Sequence, residues 1–199
     1  MSLLEAILYG LVQGITEYLP ISSSAHLVLL PKFLGTQDPG LTFDVFLHIG
    51  TLAATVLYFR GDWVAMIKRN SWNFHEVNLF TIGVATFPAL AVGALLHSQI
   101  ETVFRGTAVV ASALAVGGLA LFALDKWMPA SRSLGEFRFR DALVVGFVQC
   151  LALVPGVSRS GSTIMAGRLL KFDRVSAARF SFLISAPVTA AAIAYEMLK

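Results

Sequence analysis

Long apolar runs dominate this chain, and four of them are nearly free of Asp, Glu, Lys and Arg. Each is long enough to cross a hydrocarbon core of roughly 30 Å as a helix. The pattern therefore predicts an all-α, polytopic integral membrane protein. The predicted spans are Leu41–Phe59, Val77–His97, Gly106–Leu124 and Val175–Tyr195.

Two further apolar segments, Leu3–Pro31 and Ala142–Leu170, are interrupted in the middle by polar residues. Pro20 precedes three consecutive serines in the first, and Pro155 precedes a Ser-Arg-Ser run in the second. Proline and serine runs break helices, and exposed backbone at membrane depth survives only where protein or a polar cavity receives it. Each segment is therefore predicted to be a re-entrant pair of half-helices.

The two interrupted segments resemble each other at a constant offset of 136 residues, from Gln13 to Gln149. The next helix continues the match, with Phe46-Leu47 falling on Phe182-Leu183. An internal duplication within one membrane domain, residues 1–199, is predicted. Its parts are repeat one at about 1–100, a linking helix at about 106–127 and repeat two at about 137–199. Repeat two is expected to be short at its C-terminus, since counterparts of two first-half spans are absent.

The basic residues of the connectors indicate the orientation of the spans. Three connectors are basic, whereas those around Lys32 and Arg105 are not. Placing the basic connectors in the cytoplasm makes the two broken segments enter from opposite faces, which gives the repeats inverted topology. The basic residues are Arg60, Lys68 and Arg69; Lys126, Arg132, Arg138 and Arg140; and Arg168, Lys171 and Arg174.

Composition supports lipid as the solvent and excludes several classes of function. Hydrophobic residues make up 56% of the 199 residues and charged residues only 14%, against roughly 25% charged in soluble domains. The net charge of +3 is spread over connectors, so no nucleic-acid partner is expected. Nucleotide-binding glycine motifs and Cys/His zinc clusters are absent from the sequence. The single cysteine, Cys150, is interpreted as a packing residue.

Glu17 is the most informative polar residue, because a carboxylate inside an apolar run costs on the order of 3 kcal/mol. Gln13 lies one helical turn earlier on the same face, so both side chains can point at one ligand or metal. An interhelical hydrogen bond is the alternative for Gln13. These two residues are the candidate metal ligands.

The serine run marks a helix N-terminus, where hydroxyls and free N–H groups favour an anion. Ordinary capping is the alternative for one of the three serines. His26 lies about one turn beyond Ser23 and is predicted to act as a general acid or base toward it. The other histidines, His48, His75 and His97, are interpreted as structural or interfacial. The candidate phosphate-binding hydroxyls of this run are those of Ser22 and Ser24.

Arg159 mirrors the serine run in the second broken segment, and its forked donors match phosphate oxygens. Pairing with Glu17 is an alternative that does not exclude function. Ser158, Ser160 and Thr163 surround it with hydroxyls and are predicted phosphate ligands. The predicted site is an anion pocket at membrane depth, suited to phosphoryl transfer on a lipid-linked substrate.

These motifs resemble those of the undecaprenyl-diphosphate phosphatase (bacitracin-resistance) family. The stretches that carry the resemblance are Gln13-Gly-Ile-Thr-Glu-Tyr-Leu-Pro-Ile-Ser-Ser-Ser-Ala-His26 and Pro155-Gly-Val-Ser-Arg-Ser-Gly-Ser-Thr163. Gln149-Cys150 and Phe180-Ser-Phe-Leu183 also resemble family positions, and the similarity covers essentially the whole chain. Two positions depart from the usual pattern, because Gln13 stands where glutamate is common and Ala25 where glycine is usual.

The resemblance implies hydrolysis of undecaprenyl diphosphate to undecaprenyl phosphate and phosphate, which recycles the carrier for cell-wall synthesis. It implies Ser23 as nucleophile, Glu17 and His26 as proton-transfer groups and Arg159 as the phosphate-binding cation. A divalent cation, Mg²⁺ or Ca²⁺, is expected near Gln13 and Glu17. The implied location is the bacterial inner membrane, with the active site toward the periplasm. The expected partners are a polyprenyl diphosphate and membrane lipid, with a homodimer left open.

Two rival functions follow from the same features. A lipid-phosphate transporter or flippase would use inverted repeats with broken helices and an anion site, but no nucleophile. An acid-phosphatase-type lipid phosphatase would need a second histidine with a downstream Asp after its Ser-Arg motif, and the sequence supplies neither.

Overall fold

The computed structural model describes residues 2–69 and 75–198, and within them the chain is α-helical with no β-strand. The outermost bounds of the predicted domain, Met1 and Lys199, lie outside the described residues. Short 3₁₀ turns occur at Leu134–Glu136 and Cys150–Leu153. The helices are α1 (Leu3–Thr16), α2 (Ser23–Leu34), α3 (Leu41–Tyr58), α4 (Arg60–Arg69), α5 (Leu79–Leu95), α6 (His97–Thr102), α7 (Thr107–Trp127), α8 (Phe139–Gln149), α9 (Arg159–Leu169) and α10 (Arg174–Leu198).

Three helices, α3, α7 and α10, are long and apolar enough to cross a membrane. They confirm the membrane class and three of the four predicted spans. The fourth prediction, Val77–His97, is too long, since α5 has 17 residues. Asn78 caps the N-terminus of α5, since its side chain accepts a hydrogen bond from the backbone N–H of Thr81 at 2.9 Å. At the other end the chain turns at Leu96 into α6.

Both interrupted segments are broken where the polar runs predicted. The first is divided into α1 and α2, and the second into α8 and α9; the 3₁₀ turn at Cys150–Leu153 lies between α8 and α9. We refer to residues 17–24 as the first tip and residues 154–160 as the second tip. The halves of each segment pack against one another, so both tips are folded back within the bundle.

Glycines allow the second segment to approach its neighbours closely. Gly146 of α8 faces the α5 backbone, where a Cβ would lie 2.9 Å from the Ala85 carbonyl oxygen. Gly156 of the second tip has φ +109° and faces the Val110 carbonyl of α7, where a side chain would overlap that oxygen. These contacts fix the second tip between α7 and the rest of the bundle. The apolar core lies mainly among α5, α8, α9 and α10.

Two arginines, Arg105 (partly buried) and Arg168 (buried), connect the ends of the helices. Arg105, which precedes α7, bonds Asp44 of α3 at 2.7 Å and Asp38 at 2.7 Å. Arg168 of α9 donates to the Met128 carbonyl at 2.5 Å, beside the end of α7. Carboxylates bind the Arg105 guanidinium, and carbonyls accept from both terminal nitrogens of Arg168, whose Nε lies 3.3 Å from an Asp125 oxygen.

Candidate functional site

The two tips meet around a cavity of about 190 Å³ in the interior of the bundle. Gly156 N of the second tip donates to Ser22 Oγ of the first at 3.2 Å. Ser160 Oγ donates to the Leu19 carbonyl at 3.3 Å. Ser23 and Arg159 therefore line one cavity, as the sequence predicts. The polar lining residues are Glu17, Ser22, Ser23, Ser24, His48, Gln149, Ser158, Arg159, Ser160 and Thr189.

The same local conformation opens the helix that follows each tip. Ser22 and Ser158 both adopt positive φ, 65° and 72°, and their side chains accept from the backbone N–H three residues later. In each tip the capping hydroxyl also lies 3.2 Å from the hydroxyl of the serine two residues later, which is Ser24 in the first tip and Ser160 in the second. Residues with positive φ are uncommon outside glycine, so both tips are held by their surroundings. Two helix N-termini consequently open at one cavity, where their N–H groups favour an anion.

Glu17 lies at the centre of this site and is only 8% exposed. One carboxylate oxygen accepts a hydrogen bond in an ion pair with Arg159. The other accepts from Ser23 Oγ at 2.6 Å and from Gln13 Nε2 at 3.0 Å. The structure thus places a hydroxyl directly on a buried carboxylate, which in turn is paired with a cation. This is the arrangement of a serine nucleophile beside a general base.

The histidine that contacts Glu17 is His48 of α3, and sequence reasoning missed it. His48 Nε2 lies 3.3 Å from Glu17 Oε2, while Nδ1 lies 2.7 Å from the Asp44 carbonyl oxygen. Because a carbonyl only accepts, Nδ1 carries a proton and Nε2 faces the carboxylate. A histidine inside an otherwise apolar span was the signal that could have found it.

His26, the histidine that the sequence favours, is placed outside the cavity. Its Nδ1 lies 2.8 Å from the Ser22 carbonyl oxygen, and its ring faces a separate pocket beside Leu114 of α7. The structure therefore does not bring His26 to Glu17. His26 instead bonds the backbone carbonyl of Ser22, so it contacts the site only through the first tip.

Substitution of each histidine is expected to give a different result. His48→Ala should lower the kcat of the folded protein about tenfold or more, because a group in contact with Glu17 is lost, and should also lower Tm, because the Asp44 carbonyl loses its donor. His26→Ala should lower activity together with Tm, because the Ser22 carbonyl loses its donor. Phosphate release and thermal unfolding of both variants in detergent test this. An inactive His26→Ala protein of unchanged Tm would instead support the direct proton-transfer role that the sequence predicts for His26.

The predicted phosphate ligands are not all at the cavity. Ser22, Ser24, Ser158 and Ser160 line it. Thr163 is 1% exposed and does not line it; its Oγ1 lies 2.6 Å from Ser181 Oγ. The side chain also bonds the Arg159 carbonyl at 2.9 Å, so it supports the first turn of α9.

The residues predicted to hold a metal form only part of a coordination shell. Gln13 Oε1 is buried and has no hydrogen-bond partner among the described residues. No group of three or more His, Cys, Asp and Glu side chains converges in that part of the chain. Mg²⁺ commonly takes one or two protein oxygens and completes its shell with water and substrate phosphates. An amide oxygen next to the Glu17 carboxylate fits that kind of site, although both Glu17 oxygens already have donors.

Taken together, the helical spans and the Ser23–Glu17–Arg159 contacts between two helix N-termini define a membrane protein with a polar internal cavity. The chain belongs to the bacitracin resistance protein BacA family, whose family model matches residues 6–199. It is similar to proteins named undecaprenyl-diphosphatase in several bacteria. The relative in Gemmatimonas aurantiaca is 51% identical, over 99% of this chain and 77% of the relative.

Two other relatives with the same name cover similar shares of the chain. The one in Pelobacter propionicus is 46% identical, over 100% of this chain and 76% of the relative. The one in Moorella thermoacetica is also 46% identical, over 96% of this chain and 75% of the relative. The family match and these relatives confirm the family resemblance that the sequence motifs of the two tips indicate.

Proposed function

We propose that this protein is a membrane phosphatase that hydrolyses undecaprenyl diphosphate to undecaprenyl phosphate and inorganic phosphate, which recycles the lipid carrier of cell-wall synthesis. The observation that carries the proposal is the Ser23 hydroxyl on the Glu17 carboxylate, with Arg159 paired to the same carboxylate in one cavity. Family membership and the names of the relatives support the same activity.

The geometry supports a two-step reaction. Ser23 Oγ attacks the terminal phosphorus and gives its proton to Glu17, while the bond from that phosphorus to the bridging oxygen breaks and undecaprenyl phosphate leaves. A water molecule then attacks the phosphoserine, the bond from phosphorus to Ser23 Oγ breaks, inorganic phosphate leaves with the oxygen of the water, and Oγ takes back a proton from Glu17. Arg159 and the N-termini of α2 and α9 stabilise the charge on the phosphoryl oxygens. His48, in contact with Glu17, accepts or returns the proton.

The proposal includes the arrangement of the protein in the membrane. Repeat one (about 1–100) and repeat two (about 137–199) are inverted repeats joined by a linking helix (about 106–127), and each tip belongs to a re-entrant pair. The like conformation of Ser22 and Ser158 and the basic connectors support this arrangement. The site then opens toward the periplasm from the bacterial inner membrane. A homodimer is compatible with this arrangement.

A divalent cation, Mg²⁺ or Ca²⁺, is also part of the proposal. Gln13 and Glu17 are the side chains that would hold it, and the unpartnered Gln13 Oε1 supports this choice. When bound, such an ion neutralises charge on the diphosphate. The roles of Ser23 and Arg159 do not depend on it.

The function is tested by phosphate release from undecaprenyl diphosphate with purified protein in detergent. We expect release by the natural chain at least about a hundredfold above Glu17→Ala, because that variant loses the proposed base. Glu76→Ala, which removes a carboxylate that does not line the cavity, is the control and should stay within about twofold. Equal release by the natural chain and Glu17→Ala would refute the phosphatase assignment.

A further inference from the structure

A second cavity, about 540 Å³ in volume, lies along the seam between α3 and α10. Its wall is mostly apolar, and its size is within the range of ordinary ligand pockets. We refer to it as the seam groove. Its lining residues are Tyr18, Ala54, Thr55, Tyr58, Phe59, Val175, Ala178, Arg179 and Phe182.

The same two helices, α3 and α10, line both the seam groove and the catalytic cavity. Val45 and His48 of α3 and Val188 of α10 line the catalytic cavity, whereas later residues of α3 and earlier residues of α10 line the groove. The two helices therefore run antiparallel, with one cavity beyond the other along the same seam. At 1.5 Å per residue, Ala54 and Tyr58 lie about 9 and 15 Å along α3 from His48.

The residue between the two cavities is Tyr18, which directly follows the catalytic Glu17. Its hydroxyl donates to the Thr51 carbonyl at 2.5 Å and lies 3.1 Å from Thr55 Oγ1. Its ring packs edge-on against Phe182 at 5.7 Å between centroids. With its hydroxyl bonded within the protein, Tyr18 presents its ring to the groove. Arg179, the charged residue of the lining, is paired with Asp62 at 2.5 Å, so the rest of the wall suits an apolar chain.

We propose that the seam groove binds the isoprene units of the polyprenyl chain that lie distal to the diphosphate, and so determines preference for long chains. The proposal rests on the proposed phosphatase function. Beyond Tyr18, a chain whose diphosphate is held at Ser23 and Arg159 meets the mostly apolar groove along the same two helices. That adjacency favours the substrate's own chain over a bilayer acyl chain, which has no head group in the catalytic cavity.

Filling the groove from either wall tests the proposal. Ala54→Phe and Ala178→Phe should each lower kcat/KM for the C55 diphosphate about tenfold, because buried isoprene contacts are lost. The two-isoprene C10 diphosphate is too short to extend along the groove, and its kcat/KM should change less than about twofold in both variants. Ala53→Phe is the matched control, since Ala53 is exposed and does not line the groove; both substrates should be unaffected.

The comparison of the two chain lengths separates the possible results. An unchanged C55 to C10 ratio in both groove variants, at any absolute rate, overturns the proposal and is the result expected if a bilayer lipid fills the groove. A ratio that falls equally in Ala53→Phe also overturns it. Hydrolysis of C10 diphosphate by the natural chain, measured in the same assay, shows separately that the phosphatase function holds.

Discussion

Replacement of Ser23 by alanine is expected to reduce phosphate release from undecaprenyl diphosphate by about a thousandfold or more. The substitution removes the hydroxyl that lies 2.6 Å from Glu17 and leaves the remaining polar groups of the cavity in place. Binding of the diphosphate should therefore persist while chemistry is lost. Single-turnover phosphate release and equilibrium binding of the same lipid measure the two separately.

Ser24→Ala is the matched control for this prediction. Ser24 lines the same cavity one residue later, but its hydroxyl contacts Ser22 Oγ instead of Glu17. We expect its activity to stay within about tenfold of the natural chain. A Ser23→Ala protein that still releases phosphate at a comparable rate would exclude serine as the nucleophile. One that moves lipid phosphate across vesicles without releasing phosphate would favour the transporter alternative.

Replacement of Arg159 by alanine is the second large effect that we expect. Glu17 would lose its ion-pair partner in a buried site, which costs about 3–5 kcal/mol of folding free energy. The phosphoryl group would also lose its guanidinium, with about a hundredfold to thousandfold loss of kcat/KM. Tm and phosphate release, measured on the same preparation, show both consequences.

Two further variants distinguish the role of Arg159 as the ion-pair partner of Glu17 from its role in catalysis. Arg159→Lys keeps the charge but loses the second donor, which lies 3.4 Å from the Ser181 carbonyl, so activity should fall while Tm stays closer to that of the natural chain. Arg105→Lys makes the same change in a buried pair with Asp44, outside the cavity, and should leave activity within about twofold. If Arg159→Ala lowers Tm alone and the folded fraction keeps full activity, the arginine is only a partner of Glu17.

The breaks in the two apolar segments could be predicted because Pro20 and Pro155 stop helices through local sterics, which sequence expresses directly. The meeting of the tips was predicted from the internal repeat and the basic connectors, which together let two half-helix ends face each other. The predicted Val77–His97 span was too long because hydropathy does not detect capping by Asn78.

The identity of the site histidine could not be predicted, because it depends on which face of α3 packs against the first tip. His26 is close to Ser23 along the chain, whereas His48 reaches Glu17 only through tertiary packing. Thr163 shows the same limit: its position in the motif indicates a phosphate ligand, but helix phase directs it to Ser181. Local chemistry was therefore predictable, and the direction of side chains between helices was not.

The pair formed by Glu17 and Arg159 has a consequence for how the enzyme distinguishes its reactant from its product. In the resting protein the guanidinium already holds an internal counter-anion, so every incoming head group must compete with a carboxylate. Two linked phosphates compete more effectively than one, because they carry more charge and can also reach both helix N-termini. We therefore expect the lipid monophosphate that remains after cleavage to compete less well with the Glu17 carboxylate for Arg159, which favours release of the product.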